Sequence, residues 1–243
     1  MSSITMNSGT TAVDGRVGRE GASESWATLI AGAGNVVDYA GTGVVMRLSA
    51  TATLNLWAAL RRGVFLFDPA PLPAGAIIQG GSLSLYSNTT PSNNFLSNLV
   101  LTNAPVTAYT SLITADYALL HAQMVEHGTA RVAVSSLTAA TRFSFTLNAQ
   151  ALVTFQSLYD SGNVFELGLL FDWDFLSTTP VWVSGATDDI TIISQNHATS
   201  ANWPILTITY RVGKGHATVT LKGTLGNSGD TVTADMWAVE VFT

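Results

Sequence analysis

The residues from 61 to 86, RRGVFLFDPAPLPAGAIIQGGSLSLY, constrain this chain more than any other run. An apolar stretch over 63–68 stops at an Asp-Pro step. Pro69, Pro71, Pro73 and Gly75 then punctuate a turn, because proline fixes φ and glycine admits positive φ. Ile77, Leu83 and Leu85 follow among small and polar residues, which is strand periodicity. The run predicts strand, rigid turn, strand.

Similar strand-like runs recur at 11–17, 25–30, 43–50, 54–60, 63–68, 77–87, 99–103 and 106–110. Others follow at 130–135, 142–147, 164–173, 181–184, 189–194 and 205–211. Two segments carry helical spacing instead. Thr114 can cap 115–125, where Tyr117, Leu120 and Met124 line one face. Asn148 can cap 149–160, with Leu152, Phe155 and Leu158 in register and Gly162 as a stop. Many short strands separated by Gly, Asn, Pro and Ser predict an all-β sandwich or barrel.

The 61–86 block joins a strand ending in Phe67-Asp68, a Leu72-Pro73-Ala74-Gly75 turn and a Leu83-Ser84-Leu85-Tyr86 strand. In this it resembles the DNRLRE-type domains, jelly-roll β-sandwiches of the carbohydrate-binding-module kind. The stretch 204–210, PILTITY, after Asn202-Trp203, is similar to that family's last strand, and 12–19, AVDGRVGR, to its first. The loop 31–35 and the Asp116-Tyr117 helix start also resemble segments of predicted structural proteins of tailed bacteriophages. The resemblance implies a jelly-roll β-sandwich over 12–212, preceded by an N-terminal arm at 1–11. It implies a protein that is not an enzyme: a virion component, a capsid decoration or part of a tail or fibre, bound to other virion proteins. The alternative it implies is an adhesin module that recognises host or environmental glycans.

Charged residues make up 11% of the chain and apolar residues 47%, against roughly 25% charged in an average soluble domain. Lys214 and Lys222 are the only lysines, and lysine is depleted at interfaces. A surface of Thr, Ser and Ala has few charges to desolvate. These features fit an ordinary Thr-rich β-protein, and fit better a subunit covered in a homo-oligomer or larger assembly. The net charge of −6, with scattered arginines, argues against nucleic-acid binding. The absence of cysteine excludes disulfides and thiolate metal sites. Residues 1–20 lack a basic then apolar leader, and no apolar stretch approaches the ~20 residues of a membrane span. No membrane insertion is expected. The expected location is the virion surface, reached from the host cytoplasm.

Beyond the resemblance lie residues 213–243. Within 217–225, Val219, Leu221 and Leu225 alternate with Thr and Lys, Asn227 to Asp230 reads as a turn, and 232–242 reads as a second strand. This predicts a C-terminal β-hairpin extension. It either widens the sandwich or pairs with a neighbouring subunit, with Val232, Met236, Trp237, Val239, Val241 and Phe242 as interface candidates.

Few residues suggest chemistry. Asp172 and Asp174, two apart on a predicted strand, share a face and flank Trp173. Paired carboxylates of this kind serve glycosidases, but such proximity in sequence suits structural carboxylates better. Asp172, Asp174, Asp188 and Asp189 could supply oxygens to a structural calcium ion, although no calcium-loop spacing is present. No other cofactor is expected. His121, His127, His197 and His216 lack metal spacing. Ser228 sits in turn chemistry, and the glycines near Gly32 do not form a dinucleotide fingerprint. Trp57, Trp173 and Trp182 with Tyr86 are candidates for stacking on a sugar, with core burial as the commoner role for tryptophan.

Overall fold

The computed structural model describes residues 1–7 and 13–212, together with the backbone alone of 217–222 and 231–236. Strands β1 (Ser2–Asn7) and β2 (Asp14–Glu24) lead into helix α1 (Trp26–Ala31). Then come β3 (Val36–Asp38), β4 (Gly43–Ala50), β5 (Trp57–Phe67), β6 (Ala76–Ser87) and β7 (Asn98–Asn103). Helix α2 (Asp116–Ala122), β8 (Val132–Ala133), β9 (Thr141–Thr146) and α3 (Ala149–Asp160) follow. The body closes with β10 (Phe165–Phe171), α4 (Asp172–Phe175), β11 (Thr187–Ile193) and β12 (Ile205–Val212).

The protein is all-β and sandwich-like. Twelve strands form one antiparallel sheet in the order β1-β12-β6-β11-β4-β5-β10-β7-β8, with β2 and β3 outside β5 and β9 outside β6. Two strands change partner along their length. β5 pairs with β4 through residues 57–60 and with β10 through 63–67. β6 pairs with β12 through 76–84 and meets β11 at Ser87. The core they enclose includes Phe65, Phe67, Leu83, Leu85, Leu167, Leu169, Ile190, Ile192, Leu206 and Ile208. Each such side chain contributes about 1.5–3 kcal/mol by leaving water.

The 61–86 run forms its two strands as its residues dictate. Asp68 Oδ1 accepts from the Ala70 amide at 2.8 Å. Leu72 and Ala76 amides donate to the Pro69 and Pro73 carbonyls, and Gly75 takes φ +73°. β5 and β6 each pair with other strands, so the proline turn is an arch rather than a hairpin. One register slip is hidden in β6. Opposite Thr209 and Tyr210 the ladder skips Gln79, which moves burial from Ala76 and Ile78 to Leu83 and Leu85. Ile77 therefore lies half-buried, out of step with Leu83 and Leu85, and Ile78 is inside.

Several expectations are corrected. Residues 25–30 form a helix, not a strand: Ser25 caps it, accepting from the Thr28 amide, and Trp26, Leu29 and Ile30 bury at helical spacing. Residues 106–110 and 181–184 lie in loops. Among the described residues there are four short helices instead of two. α3 matches its predicted span, and α2 ends at Ala122. Residues 2–7, expected within an arm, pair antiparallel with β12 from Tyr210 to Ile205.

Strands β13 (Ala217–Lys222) and β14 (Thr231–Met236) pair antiparallel as a separate two-stranded sheet. Their register opposes Ala217 to Met236, Val219 to Ala234 and Leu221 to Val232. Thr218, Thr220 and Lys222 oppose Asp235, Thr233 and Thr231. Directly opposed residues share a face, so one face of the hairpin carries only apolar positions and the other only polar ones.

Candidate binding cleft

Two connections at one end of the sandwich enclose a cleft of about 560 Å³. One wall comes from the β6–β7 connection, with Asn94, Phe95, Leu96 and, at the start of β7, Asn98. The other comes from α4 and the loop behind it, with Asp172, Trp173, Val181 and Val183.

The first wall is held from below by Asp188 of β11. Its Oδ1 accepts from the Phe95 amide at 3.0 Å and its Oδ2 from the Ser97 hydroxyl at 2.5 Å. The Ser97 amide donates to Asn93 Oδ1, and Asn94 Nδ2 donates to the Thr187 carbonyl. Burial pushes the Asp188 carboxyl above its ordinary pKa, while the Ser97 and Phe95 donors oppose the shift. Between these anchors Leu96 takes φ +54° and is 75% exposed. A left-handed leucine persists only where its surroundings over-determine it. Phe95, by contrast, is buried and packs 5.3 Å from the Trp57 ring, which itself meets Trp26 at 5.1 Å. The cleft floor therefore rests on the aromatic core.

The second wall starts where β10 stops. Asp172 Oδ1 accepts from the Asn98 and Trp173 amides, and Oδ2 from Asn98 Nδ2 at 2.7 Å. These bonds join α4 to the start of β7. Trp173 is half-buried, and its indole N–H donates to the Phe95 carbonyl at 3.2 Å, which fixes the ring across the cleft. Val181 is 79% exposed and Val183 is 46% exposed. Trp182 between them packs against the core and donates to the Leu56 carbonyl. The arrangement presents a fixed aromatic ring, apolar lips and an edge of amide and carboxylate.

One residue beyond Trp173 the chemistry changes. Asp174 is fully buried and accepts from Arg62 Nε at 2.7 Å and Nη2 at 2.8 Å. Arg62, on β5, also donates to the carbonyls of Ile30 and Tyr117, and its guanidinium lies 3.8 Å from the centre of the Tyr117 ring. His121 Nδ1 of α2 approaches Asp174 Oδ1 to 3.3 Å. The Tyr117 hydroxyl donates to the Leu29 carbonyl, and burial raises its pKa above the ordinary value. Burial alone would raise the Asp174 carboxyl, but the Arg62 charge overrides it and holds the carboxyl below its ordinary value. This hub ties α1, α2 and α4 to β5.

The predicted site residues are thus divided. Asp172 and Asp174 sit on a short helix, not a strand, and each is engaged by its own structural partners. Trp173 lines the cleft and Trp182 supports its rim, but Trp57 is wholly buried beneath it. Tyr86 lies apart on β6, 5.9 Å from the Arg142 guanidinium. The four calcium candidates are not brought together: Asp189 pairs with Arg47 at 2.5 Å, Asp188 with Ser97, Asp174 with Arg62 and Asp172 with Asn98. Among the described residues no group of three acidic or histidine side chains forms a metal cluster. Val232 and Met236 fall on the apolar face of the hairpin. Trp237, Val239, Val241, Phe242 and the 227–230 turn lie outside the described residues.

Sequence reasoning missed Phe95, Leu96, Asn98, Val181 and Val183. The Asn-rich 88–98 segment and the valines flanking Trp182 were the available signals. It also missed Glu166 on β10, whose carboxyl burial raises to about 7 against a hydrogen bond from Tyr109. No family model matches the chain, and a search of curated proteins finds none similar to it.

Proposed function

We propose that this chain is a non-enzymatic structural protein of a bacteriophage particle, exposed on its surface as a capsid decoration or a tail or fibre component. The observation that carries this reading is how the sandwich uses its charges. Arg16, Arg19, Arg47, Arg61, Arg62 and Arg131 each sit beside a carboxylate of the same chain. The remaining surface is rich in Thr, Ser and Ala, and it can be covered by neighbours with little charge desolvation. The resemblance of the 61–86 block supports the particle assignment. The two-faced hairpin supports assembly, since an isolated two-stranded sheet is marginal in water. The engagement of both α4 carboxylates by structural partners supports a role without catalysis.

Light scattering on the full chain tests the reading. We expect an oligomer, and a monomer when Leu221→Asp and Val232→Asp are combined on the apolar hairpin face. A monodisperse native monomer would count against an assembly role. A second reading, an adhesin module that recognises glycans, is favoured by the Trp173 cleft.

A further inference from the structure

We infer that the cleft between the β6–β7 connection and α4 binds a neutral saccharide, with Trp173 as the stacking platform. The inference rests on the second, glycan-recognising reading and is independent of the particle assignment.

The shape and chemistry of the cleft select the ligand. Its volume of about 560 Å³ falls in the ~300–1,000 Å³ range of small-molecule sites. One side is apolar: Leu96, Val181 and Val183 stand at the lips and Trp173 lies across the cleft. The indole N–H is already donated to the Phe95 carbonyl, so the ring has its surface left to offer. The other side is polar, built from Asn94, Asn98 and Asp172. A pyranose has the same division, with C–H groups on a ring face and hydroxyls along its edge. Ring C–H groups pack on an aromatic face, while the hydroxyls donate to carboxylate and carbonyl oxygens and accept from amide N–H groups.

Charge narrows the choice further. Among the described residues Asp172 is the one charged residue lining the cleft, and none of them places a cation there to receive an anionic sugar. The nearby Arg131 is engaged by Glu126 at 3.0 Å and lies against the Phe175 ring. A uronate or sulfated sugar would meet only the Asp172 carboxylate, so the ligand is uncharged. The platform is also preorganised, which lowers the ordering cost of binding. Asp188 clamps the 95–97 segment, and Asn98 ties α4 to β7.

The test is calorimetric titration of the full-length protein with maltotetraose, cellotetraose, laminaritetraose, chitotetraose and, as the anionic probe, tetragalacturonate. An apolar hexapeptide serves as the competing ligand class. We expect at least one neutral tetrasaccharide to bind and the anionic one to bind at least tenfold more weakly. Trp173→Ala should weaken the neutral ligand at least tenfold. Val181→Asp, at an exposed position that folding does not need, should weaken it several-fold with the thermal midpoint unchanged. Tyr86→Ala, remote from the cleft, should leave affinity intact. Saccharide binding that survives both cleft variants overturns the location and leaves the glycan-recognising reading standing. Binding of tetragalacturonate alone overturns the neutral saccharide and leaves the glycan-recognising reading standing; binding of no sugar, or of the peptide alone, overturns both.

Discussion

Asp172 and Asp174 stand two residues apart on the same single-turn helix, and they serve opposite kinds of region. Asp174 points into the protein, where Arg62, His121 and the carbonyls around them surround it. Asp172, although largely buried, lines the wall of a cleft, where Asn98 and the Trp173 amide hold it. A buried charge is tolerated only when every neighbour is fixed around it, so the hub is rigid. A carboxylate at a cleft wall needs only enough bonds to set its direction. The lesson is that spacing in sequence does not group carboxylates by role, because one helical turn can separate a charge sealed in an ion-paired hub from one that lines a cleft.

The sharpest way to break this contrast is Asp174→Ala. It leaves the Arg62 guanidinium buried without its counter-ion, a loss of roughly 3–5 kcal/mol. For a chain of this size the thermal midpoint should fall by on the order of 10 °C. Combining Arg62→Met with Asp174→Leu removes both charges and should recover most of that loss, because a buried pair adds little over a packed apolar substitute. Thermal unfolding of the two variants side by side measures the difference. A single variant that loses less than about 1 kcal/mol would mean that the hub does not seat the helices.

Asp188→Ala addresses the cleft side. It strips the buried Phe95 amide and Ser97 hydroxyl of their acceptor, which costs about 1–3 kcal/mol. The effect should be local as well as global. The Phe95 amide should lose hydrogen-exchange protection by more than the fall in global stability explains, while amides of β5 and β10 follow the global change. Uniform deprotection would show that the 94–98 wall is not an independently clamped unit.

How far the sequence spoke for each region follows from the range of the interactions involved. The proline arch was legible because its causes are local: Asp68, Pro69, Pro73 and Gly75 dictate it within a few residues. Helix α3 was legible for the same reason, with Asn148 accepting from the Ala151 amide at its start. Helix α1 was misread as a strand because Ser25-Trp-Ala-Thr-Leu-Ile is too short to show its period, and tertiary burial of Trp26, Leu29 and Ile30 decides the matter. The Gln79 bulge left only a Gly80-Gly81 pair as a sign. The cleft was half legible. Trp173 could be singled out as a candidate for stacking on a sugar, and Asp172 as one of a pair of carboxylates. Their partners Asn98 and Phe95 come from a connection more than 70 residues earlier, about 74 and 78 positions away. Trp57 was misplaced because composition cannot distinguish a stacking tryptophan from one that supports the stack from beneath.

The smallest effect concerns a third carboxylate, neither in the hub nor in the cleft. Glu166 sits opposite Leu66 across the β5–β10 ladder, and burial raises its pKa to about 7. In the unfolded chain a glutamate titrates near 4.3. Between these values the folded protein holds more protons than the unfolded one, so stability falls as pH rises through that window. Below about pH 4.3 both states are protonated and the penalty vanishes; above about 7 it is constant. Glu166→Gln keeps an oxygen that can accept from the Tyr109 hydroxyl and removes the charge. It should leave the thermal midpoint near pH 4 unchanged and raise it at pH 8 by about 2–4 °C, near 1 kcal/mol for this length, because the part-exposed carboxyl is screened by solvent. The variant's stability should also lose the native slope between pH 4.5 and 7. A slope that persists in Glu166→Gln would assign it to Asp188, whose carboxyl burial also raises. The clamp on the cleft wall, rather than the β10 strand, would then set the protein's response to pH.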